Sequence, residues 1–549
     1  MRTGGQLLVA CLEAQGVSTA FGVPGESYLA VLDGLHDSGI RFVTCRQEGG
    51  AAYSAEAWGK LTGSPGIAFV TRGPGATNAS VGLHTAMQGS TPMVLFVGQA
   101  STAHLGREAF QEIDYRAFFG SMVKWATQID EADRIPEVVS RAFVTAQSGR
   151  PGPVVVALPE DVLSATTEVA AGRAVRIPEP APSGADIDEV AALLGRAERP
   201  LMLVGGGGWK DPGRRSLRSF AEANSVPVAS VFRFHDLIDN HSAVYAGDAG
   251  VGMQPHVKRL ITEADVIVAI GIRFGEMATD AYTLFSIPDP EQTIIHVHPS
   301  DRELGKIIQA NVPVHASPNT FCAALTNVTL EASSARSEWC AGARADRETA
   351  VVPPTQPGNL DMTAVMRWLQ DRLPPDVIIT NGAGNFSIWP NKHFSFGEEA
   401  RLLAPQSGSM GYGLPAAIAA RVAEPDRLVV CFAGDGDIQM NIQELGTAMQ
   451  EDAQPIILVL NNGMYGTIRM HQERDFPTRV SGTDITNPDY VMLAQAYGFH
   501  SERVEETDQF PEAFERGLSS STGALLELII PPEMLSPHLS IEQVRSAGG

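Results

Sequence analysis

The chain has 549 residues, of which 44% are hydrophobic and 19% are charged, and its formal net charge is −23. This length predicts roughly two to four domains, and the composition is that of a well-buried globular protein rather than a disordered one. The acidic balance argues against a nucleic-acid partner, because affinity for nucleic acids comes mainly from phosphate neutralisation by Lys and Arg.

The cysteines and the N-terminus exclude two further classes of protein. The five cysteines show no CxxC spacing, so we predict reduced thiols rather than a disulfide framework or a zinc site. The N-terminal apolar run is interrupted by Glu13 and reads as an amphipathic helix, not as a signal peptide. No stretch approaches the ~20 apolar residues of a membrane span. We therefore expect a cytoplasmic protein without membrane contact.

Short apolar runs alternate with helical patterns along the chain, in three blocks. Such runs are typical of parallel strands that are covered by helices on both faces. The predicted strands are 41–44, 66–71, 92–98 and 153–158 in the first block, 200–204, 266–271 and 293–297 in the second, and 377–380, 428–433, 456–460 and 525–530 in the third. We therefore predict an α/β protein with three consecutive Rossmann-like parallel-sheet domains.

Two proline-rich segments separate these blocks. The first is 175–183 (VRIPEPAPS) and the second is 351–358 (VVPPTQPG). Linkers between domains often have this composition. The predicted domains are residues 1–174, 184–350 and 359–549.

The third block contains the motif with the clearest chemistry. Gly434-Asp435-Gly436 follows one predicted strand, and Asn461-Asn462 ends the next strand after 24 intervening residues. Both motifs should reach the carboxyl edge of a parallel sheet, where open α/β sheets bind ligands. A carboxylate and an amide oxygen are hard ligands for Mg²⁺, which usually keeps water and substrate phosphates in its octahedron. The residues alone therefore predict Mg²⁺ bound to a diphosphate, whereas a lone Gly-Asp-Gly turn would indicate only an ordinary Rossmann-like domain.

This spacing resembles the thiamine-diphosphate (ThDP) motif, and other segments match the same family in the same order. They are AFGVPGE around residue 21, RQEGGAAYSAEAWGKLTG from 46, TRGPGATNASVGLHTA from 71, GRPGPVVVALPEDV from 149 and GSMGYGLPAAIAA from 408. The chain is similar over nearly its whole length to the acetolactate synthase, pyruvate oxidase and 2-oxoacid decarboxylase superfamily. The resemblance implies a pyrimidine-binding, a central and a diphosphate-binding domain, in that order.

The resemblance also implies which residues bind the cofactor and the metal. The implied Mg²⁺ ligands are Asp435, Asn462 and the backbone carbonyl of Met464. The implied cofactor contacts are Gly384, Asn385, Gly408, Met410, Gly434, Gly436 and Asn462. Of these, Met410 would support the bent form of ThDP, and Gly436 would let the backbone approach phosphate oxygens at a helix start.

Three residues of the first block have implied catalytic roles. Glu48 matches the family's catalytic glutamate, which hydrogen-bonds the pyrimidine and favours the tautomer that takes up the reactive proton. The alternative is a surface glutamate at a helix start. Gln111 and Lys124 resemble substrate-side positions of acetolactate synthases, although a lysine before a strand is often simply solvated.

Two segments depart from the acetolactate synthases of amino-acid biosynthesis. In 271–277, Arg273 matches the first of two family arginines, whereas Met277 replaces the second. The family's Gln-Trp after the asparagine pair is replaced by Met-His-Gln at 470–472. His471 is thus a candidate proton donor or substrate ligand, or else a surface histidine on a helix.

The central domain leaves FAD or ADP binding open. A glycine-rich turn at 204–209 and the segment 296–306 lie where the family contacts a nucleotide. Such turns are common in any Rossmann-like fold, however.

The resemblance implies a ThDP- and Mg²⁺-dependent lyase or transferase that decarboxylates a 2-oxoacid and passes the acyl carbanion to an acceptor, as an acetolactate synthase-like carboligase does. Alternatives are a 2-oxoacid decarboxylase that releases an aldehyde, a 2-hydroxyacyl-CoA lyase, an FAD-linked oxidase, a C–C hydrolase and a non-catalytic ThDP-binding subunit. The family places its active sites between the first domain of one subunit and the third of another, which implies a homodimer or homotetramer. Fold analogy does not specify the substrate.

Overall fold

The computed structural model describes residues 1–547 of the chain. It contains three six-stranded parallel sheets with helices on their faces, which confirms the predicted α/β class. Every sheet is built from a different block of the sequence. No helix within the described residues is long and apolar enough to cross a membrane.

The first sheet has the strand order β3-β2-β4-β5-β7-β6, and β1 and β8 form a separate two-stranded sheet. The strands of this first block are β1 (Arg2–Thr3), β2 (Thr19–Gly22), β3 (Arg41–Thr44), β4 (Gly66–Val70), β5 (Met93–Gln99), β6 (Trp125–Gln128), β7 (Pro153–Pro159) and β8 (Thr166–Thr167). Its helices are α1 (Gly4–Ala14), α2 (Leu29–His36), α3 (Glu48–Thr62), α4 (Gly73–Gly89), α5 (Tyr115–Phe119), α6 (Ile135–Gln147) and α7 (Glu160–Ser164).

The central sheet has the order β11-β10-β9-β12-β13-β14. Its strands are β9 (Pro200–Val204), β10 (Val228–Val231), β11 (Tyr245–Ala249), β12 (Val266–Ile270), β13 (Thr293–His298) and β14 (Val312–His315). Its helices are α8 (Gly184–Arg196), α9 (Asp211–Asn224), α10 (Pro255–Glu263), α11 (Pro318–Leu325) and α12 (Ser334–Val351).

The third sheet has the order β16-β15-β17-β18-β20-β19, and the hairpin β21-β22 lies outside it. Its strands are β15 (Ile378–Asn381), β16 (Arg401–Leu403), β17 (Val429–Gly434), β18 (Ile456–Asn461), β19 (His500–Val504) and β20 (Ala524–Ile529), and the hairpin is β21 (Met534–Ser536) and β22 (Leu539–Ser540). Its helices are α13 (Met362–Arg372), α14 (Ile388–Lys392), α15 (Gly413–Ala423), α16 (Asp435–Ile438), α17 (Leu445–Gln450), α18 (Gly466–Asp475), α19 (Tyr490–Tyr497), α20 (Gln509–Ser519) and α21 (Ile541–Ala547).

The central strands are the most deeply buried elements of the fold. All residues of β5, β7, β9, β12 and β17 are buried, because helices cover both faces of each sheet. Each of the eleven predicted strands lies within one residue of an observed strand at both ends. The domain boundaries at 174, 184, 350 and 359 stay predictions.

Seven strands of the three sheets were not predicted from the sequence, namely β2, β6, β10, β11, β14, β16 and β19. All seven have five residues or fewer, and five of them lie at a sheet edge. Some of them keep residues at the surface, as the alternating burial of β14 shows. Others are buried but contain glycine or polar residues, as β2 (TAFG) and β11 (YAGDA) do. In both groups the continuous apolar run that indicates a buried parallel strand is missing.

The first and third domains contact each other through the N-terminal end of α3. Glu444 of the third domain is 1% exposed, and its carboxylate accepts hydrogen bonds from the backbone N–H groups of Arg46 and Gln47 at 3.1 and 2.9 Å. Burial raises the pKa of Glu444, and the hydrogen bonds oppose this shift. One buried carboxylate thus fixes the loop that leads into α3.

We expect Glu444→Ala to lower the free energy of unfolding by about 2 kcal/mol, because two backbone N–H groups lose a buried carboxylate as acceptor, and hydrogen bonds to charged groups contribute about 1.5–3 kcal/mol. Glu451→Ala is the matched control, since Glu451 pairs across the same interface with the exposed Arg41 at 3.1 Å. Such surface pairs contribute about 0–1 kcal/mol. Denaturant unfolding of both variants measures the difference; equal losses would contradict this account.

Candidate active site

A cleft lies at the carboxyl edge of the third sheet, where the direction of strand addition reverses. From β15 the chain adds β16 on one side and then β17 on the other, so the segments after β15 and β17 diverge. Open α/β sheets bind their ligands at such a switch point. The cleft has a volume of about 250 Å³. All nine residues predicted to contact the cofactor or the metal line it: Gly384, Asn385, Gly408, Met410, Gly434, Asp435, Gly436, Asn462 and Met464.

Asp435 is a buried carboxylate at the base of this cleft. It is the first residue of α16 and is only 3% exposed. Its Oδ2 accepts hydrogen bonds from the Gly463 N–H at 2.9 Å and from Asn487 Nδ2 at 2.7 Å. Burial raises the pKa of Asp435 despite these donors. A carboxylate in this environment is favoured by a bound cation.

Asn487 is a site residue that the sequence did not reveal. It lies 52 residues after Asp435, outside any helix or strand, and it also donates to Asn461 Oδ1 at 2.9 Å. Asn461 in turn donates from Nδ2 to Glu527 at 2.7 Å, and Arg503 Nε donates to the other oxygen of Glu527 at 2.7 Å. This chain of hydrogen bonds fixes the orientation of the Asp435 carboxylate. No motif or periodicity in the sequence indicates it.

Asn462 and Met464 add neutral oxygen atoms to the same wall. Asn462 Oδ1 accepts a long hydrogen bond of 3.3 Å from the Met464 N–H. The Met464 carbonyl accepts from the Gly466 N–H at 3.0 Å and has a second lone pair. No group of three His, Cys, Asp or Glu side chains within residues 1–547 is arranged to hold a metal. The oxygens of Asp435, Asn462 and Met464 fit Mg²⁺, which binds few protein ligands and completes its octahedron with water and phosphate.

The glycines of the cleft let aromatic rings pack directly against the backbone. A Cβ added to Gly434 would lie 2.6 Å from Phe386, and one added to Gly436 would lie 2.5 Å from Tyr465. A side chain at either position would displace a ring that itself lines the cleft. The helix α18 begins in the cleft wall at Gly466, and its free N–H groups favour an anion. The residues present thus fit a diphosphate with its metal.

Met410 lies on a loop that needs glycine on both sides. Gly408 and Gly411 have φ values of 68° and 77°, in the left-handed region that favours glycine. Tyr53 of the first domain donates a long hydrogen bond of 3.3 Å to the Met410 carbonyl. The loop therefore presents the Met410 side chain to the cleft.

Glu48 begins α3 in the first domain, and within one copy of the chain it does not line the cleft. Its side chain is half-buried, and Oε2 accepts a hydrogen bond from Asn78 Nδ2 at 2.9 Å. A Cβ added to Gly75 of α4 would lie 3.5 Å from Glu48 Oε1, an ordinary contact distance, so the carboxylate packs next to this helix. Glu48 and the cleft belong to different surfaces of one chain.

Gln111 lies near Glu48, and Lys124 does not. The Gln111 carbonyl accepts a hydrogen bond from the Gly73 N–H at the start of α4, the helix that also contacts Glu48. Lys124 donates from Nζ to the Ser148 carbonyl at 2.7 Å and lies against Gly152, near the opposite end of α4. At 1.5 Å per residue the two ends of α4 are roughly 20 Å apart. Burial lowers the pKa of Lys124 to about 8.

His471 and Met277 are exposed residues outside the cleft wall. His471 lies on α18, of which only the first turn lines the cleft. Met277 is 38% exposed in a short 3-10 helix of the central domain. Their roles in substrate selection stay predictions.

The central sheet has its own switch point between β9 and β12, where FAD would bind. A Cβ added to Gly206 would lie 2.1 Å from the Gly271 carbonyl, and one added to Gly207 would lie 1.9 Å from the carbonyl of Ser90 in the first domain. Arg273 Nη2 donates a hydrogen bond to the Gln88 carbonyl of the first domain at 2.8 Å. Backbone of the first domain thus covers the glycine turn against which a dinucleotide would place its phosphates. The turn does not fit FAD in this arrangement.

Comparison with known proteins identifies the same three parts of the chain. Residues 2–118 match the N-terminal TPP binding domain of thiamine pyrophosphate enzymes, residues 187–325 their central domain, and residues 382–528 their C-terminal TPP binding domain. The chain is 32% identical to the acetolactate synthase isozyme 2 large subunit of Escherichia coli strain K12, over 96% of this chain and 95% of that protein. It is 31% identical to the acetolactate synthase large subunit of Parasynechococcus marenigrum, over 96% and 87%. It is 30% identical to the mitochondrial catalytic subunit of Saccharomyces cerevisiae acetolactate synthase, over 96% and 80%.

We expect Asn487→Ala to weaken the Mg²⁺-dependent binding of ThDP about tenfold, because a lost hydrogen bond to a charged group costs about 1.5–3 kcal/mol. Asn224→Ala is the control, since the Asn224 side chain also makes hydrogen bonds but only within the central domain. Calorimetric titration with ThDP at fixed Mg²⁺ measures the change. Unaltered affinity in Asn487→Ala would show that the asparagine does not support the metal ligand.

We also expect the purified protein to contain no flavin, because the glycine turn of the central domain is covered by Ser90. The measurement is the visible absorption of the native protein and of the supernatant after denaturation. Flavin released in equal molar amount to the chain would contradict this prediction and favour the oxidase alternative.

Proposed function

This chain is a ThDP-dependent enzyme of the superfamily that includes the acetolactate synthase large subunits, and we propose that it uses Mg²⁺ and acts as a carboligase on a 2-oxoacid. The main support is the convergence of nine predicted residues on one cleft, with the buried carboxylate of Asp435 at its base. ThDP, when bound, would supply a nucleophilic carbon that adds to the carbonyl of the 2-oxoacid, and a cationic ring that takes up the electron pair released with CO₂.

In the proposed mechanism, residues of the third domain bind and orient. Asp435, Asn462 and the Met464 carbonyl would hold Mg²⁺, and Gly434 and Gly436 in the same wall would contact the diphosphate. The apolar Met410 side chain would support the cofactor within the cleft. None of these groups needs to move, because hydrogen bonds such as those from Gly463 and Asn487 to Asp435 already orient them.

Glu48 is the proposed proton-transfer group, and a second copy of the chain would bring it to the cleft. Exposed apolar side chains on both surfaces support this arrangement. Phe110, next to Gln111, is 71% exposed, and Ile468, which lines the cleft, is 53% exposed. Burying exposed apolar side chains such as these would stabilise an interface between subunits. We therefore propose a homodimer as the smallest active unit, which further association would extend to a homotetramer.

Pyruvate is the 2-oxoacid to test first, because the relatives at about 30% identity are acetolactate synthases. Other products would support the alternatives. Acetaldehyde without a carboligation product would indicate a decarboxylase, and turnover only with a CoA thioester would indicate a 2-hydroxyacyl-CoA lyase. Saturable binding of ThDP without turnover on any of these would indicate a non-catalytic subunit.

We expect saturable ThDP binding in the presence of Mg²⁺, followed by release of CO₂ and formation of acetolactate from pyruvate. Glu48→Gln should bind ThDP within about threefold of the wild type but lose about 10²-fold or more of its turnover, since general acid–base groups contribute about 10²–10⁴-fold. Glu189→Gln, at an exposed position on α8, is the matched control and should retain full activity. Full turnover in Glu48→Gln would refute the role of Glu48, and a wild type that does not bind ThDP would refute the proposed function.

A further inference from the structure

Two loops line the cleft, and both are bound by residues outside the predicted site. The first loop, 382–385, follows β15 and provides Gly384 and Asn385. The second, 404–411, lies between β16 and α15 and provides Gly408 and Met410. The relative position of these loops therefore determines where four of the predicted cofactor contacts lie.

Asp437 contacts both loops through their N–H groups. One oxygen, Oδ1, accepts hydrogen bonds from the Ala383 N–H at 3.0 Å and from the Gly411 N–H at 2.9 Å. The residue is 3% exposed, and Gly382 must lack a side chain because its Cβ would lie 2.1 Å from the same oxygen. The carboxylate therefore connects the two loops.

Arg233 of the central domain contacts the same loops through their carbonyl groups. Its Nη2 donates to the Gly382 carbonyl at 3.1 Å, and its Nη1 donates to the Pro405 carbonyl. The side chain is 3% exposed, and its Nε has no hydrogen-bond partner within residues 1–547. A buried guanidinium with one unsatisfied N–H costs free energy, so its position requires a compensating reason.

The peptide group between Gly382 and Ala383 is bound at both ends by these two side chains. Arg233 donates to its carbonyl oxygen while Asp437 accepts from its N–H. A hydrogen bond from a guanidinium is stronger than one from a neutral donor, and bonds in series polarise one another. The orientation of this peptide fixes the direction in which the first loop leaves the sheet.

The backbone of Arg233 is also held in an unusual conformation. Its φ is 60°, in the left-handed region that residues other than glycine and asparagine rarely adopt. Gln406 Nε2 of the second loop donates to the Arg233 carbonyl at 3.1 Å and so holds this conformation. Such conformations persist only where surrounding contacts fix them, and they often mark functional sites.

We propose that Arg233 and Asp437 are positioning residues for ThDP: together they set the spacing of the two cofactor loops, and through Arg233 the central domain controls the affinity of the neighbouring domain for its cofactor. This inference rests on the proposed function, because it takes ThDP to be the occupant of the cleft. It gives the central domain a role in catalysis that requires no nucleotide.

The test compares ThDP affinity in Arg233→Lys, Arg233→Met and Asp437→Asn at saturating Mg²⁺, by calorimetric titration. Lysine keeps the charge, but its single ammonium does not replace a planar fork that reaches two carbonyls. We expect the ThDP Kd to rise about tenfold in Arg233→Lys and Asp437→Asn, which is about 1.4 kcal/mol, and further in Arg233→Met. Excess ThDP should restore most of the turnover of Arg233→Lys on pyruvate.

Arg214→Lys is the matched control for a purely structural effect. Arg214 is 8% exposed and also reaches from the central to the third domain, where it donates to the Glu398 carbonyl at 3.0 Å, but Glu398 lies outside both cofactor loops. We expect it to lower the Tm as much as Arg233→Lys does while it changes the ThDP Kd less than about twofold. Additivity is a second check, because Arg233→Lys combined with Asp437→Asn should raise the Kd by less than the product of the single effects.

Wild-type affinity in both Arg233→Lys and Asp437→Asn would overturn the inference and leave the proposed function intact. An equal loss of affinity in Arg214→Lys would also overturn it, because general destabilisation would then explain the change. If Asp437→Asn does not fold, the two Arg233 variants and the control still decide the matter. A wild type that does not bind ThDP would overturn the proposed function and this inference together.

Discussion

The burial of the Asp435 carboxylate at the edge of a parallel sheet determines how the rest of the site is built. Charge removed from water must be compensated by a cation or by directed donors. Gly463 and Asn487 supply two such donors, and Asn461 and Glu527 orient them in turn. The remaining demand for positive charge is met by the proposed metal. Because this arrangement is set before any ligand binds, the protein has little reorganisation to do when ThDP and Mg²⁺ arrive.

Hydrogen bonds between charged side chains and backbone groups also connect the three domains. A glutamate of the third domain, Glu444, fixes the loop that leads to Glu48. Lys60 of the first domain donates to the Ala404 carbonyl at 3.0 Å, next to the Pro405 carbonyl that Arg233 of the central domain binds. Each domain thus contributes an ionisable side chain that binds a backbone segment of the active site. The packing of the domains and the geometry of the cofactor site consequently depend on the same contacts.

The sequence predicted those features that depend on local pattern. Strands covered on both faces are continuous apolar runs, so eleven were placed within one residue, whereas short edge strands such as β14 and β16 carry no such run. The nine cleft residues were found because they stand in motifs with defined spacing. Asn487 and Arg233 were not predicted. Asn487 contacts Asp435, 52 residues away, and Arg233 contacts Gly382, 149 residues away, and contacts over such separations produce no pattern in the sequence. The same limit applies to Lys124, whose sequence neighbourhood does not reveal its distance from Glu48.

The central claim is that Glu48 of one copy and Asp435 of another complete one active site. Mixing subunits tests it most directly: Glu48→Gln and Asp435→Ala chains are each expected to be inactive, and co-expression or exchange should produce heterodimers with one intact site. Random pairing predicts roughly a quarter of wild-type turnover in an equal mixture, because half of the dimers would carry one working site of two. Recovery of that activity would support the shared site. A mixture as inactive as its parents, with heterodimers shown to be present, would contradict the account and place the whole site within one chain.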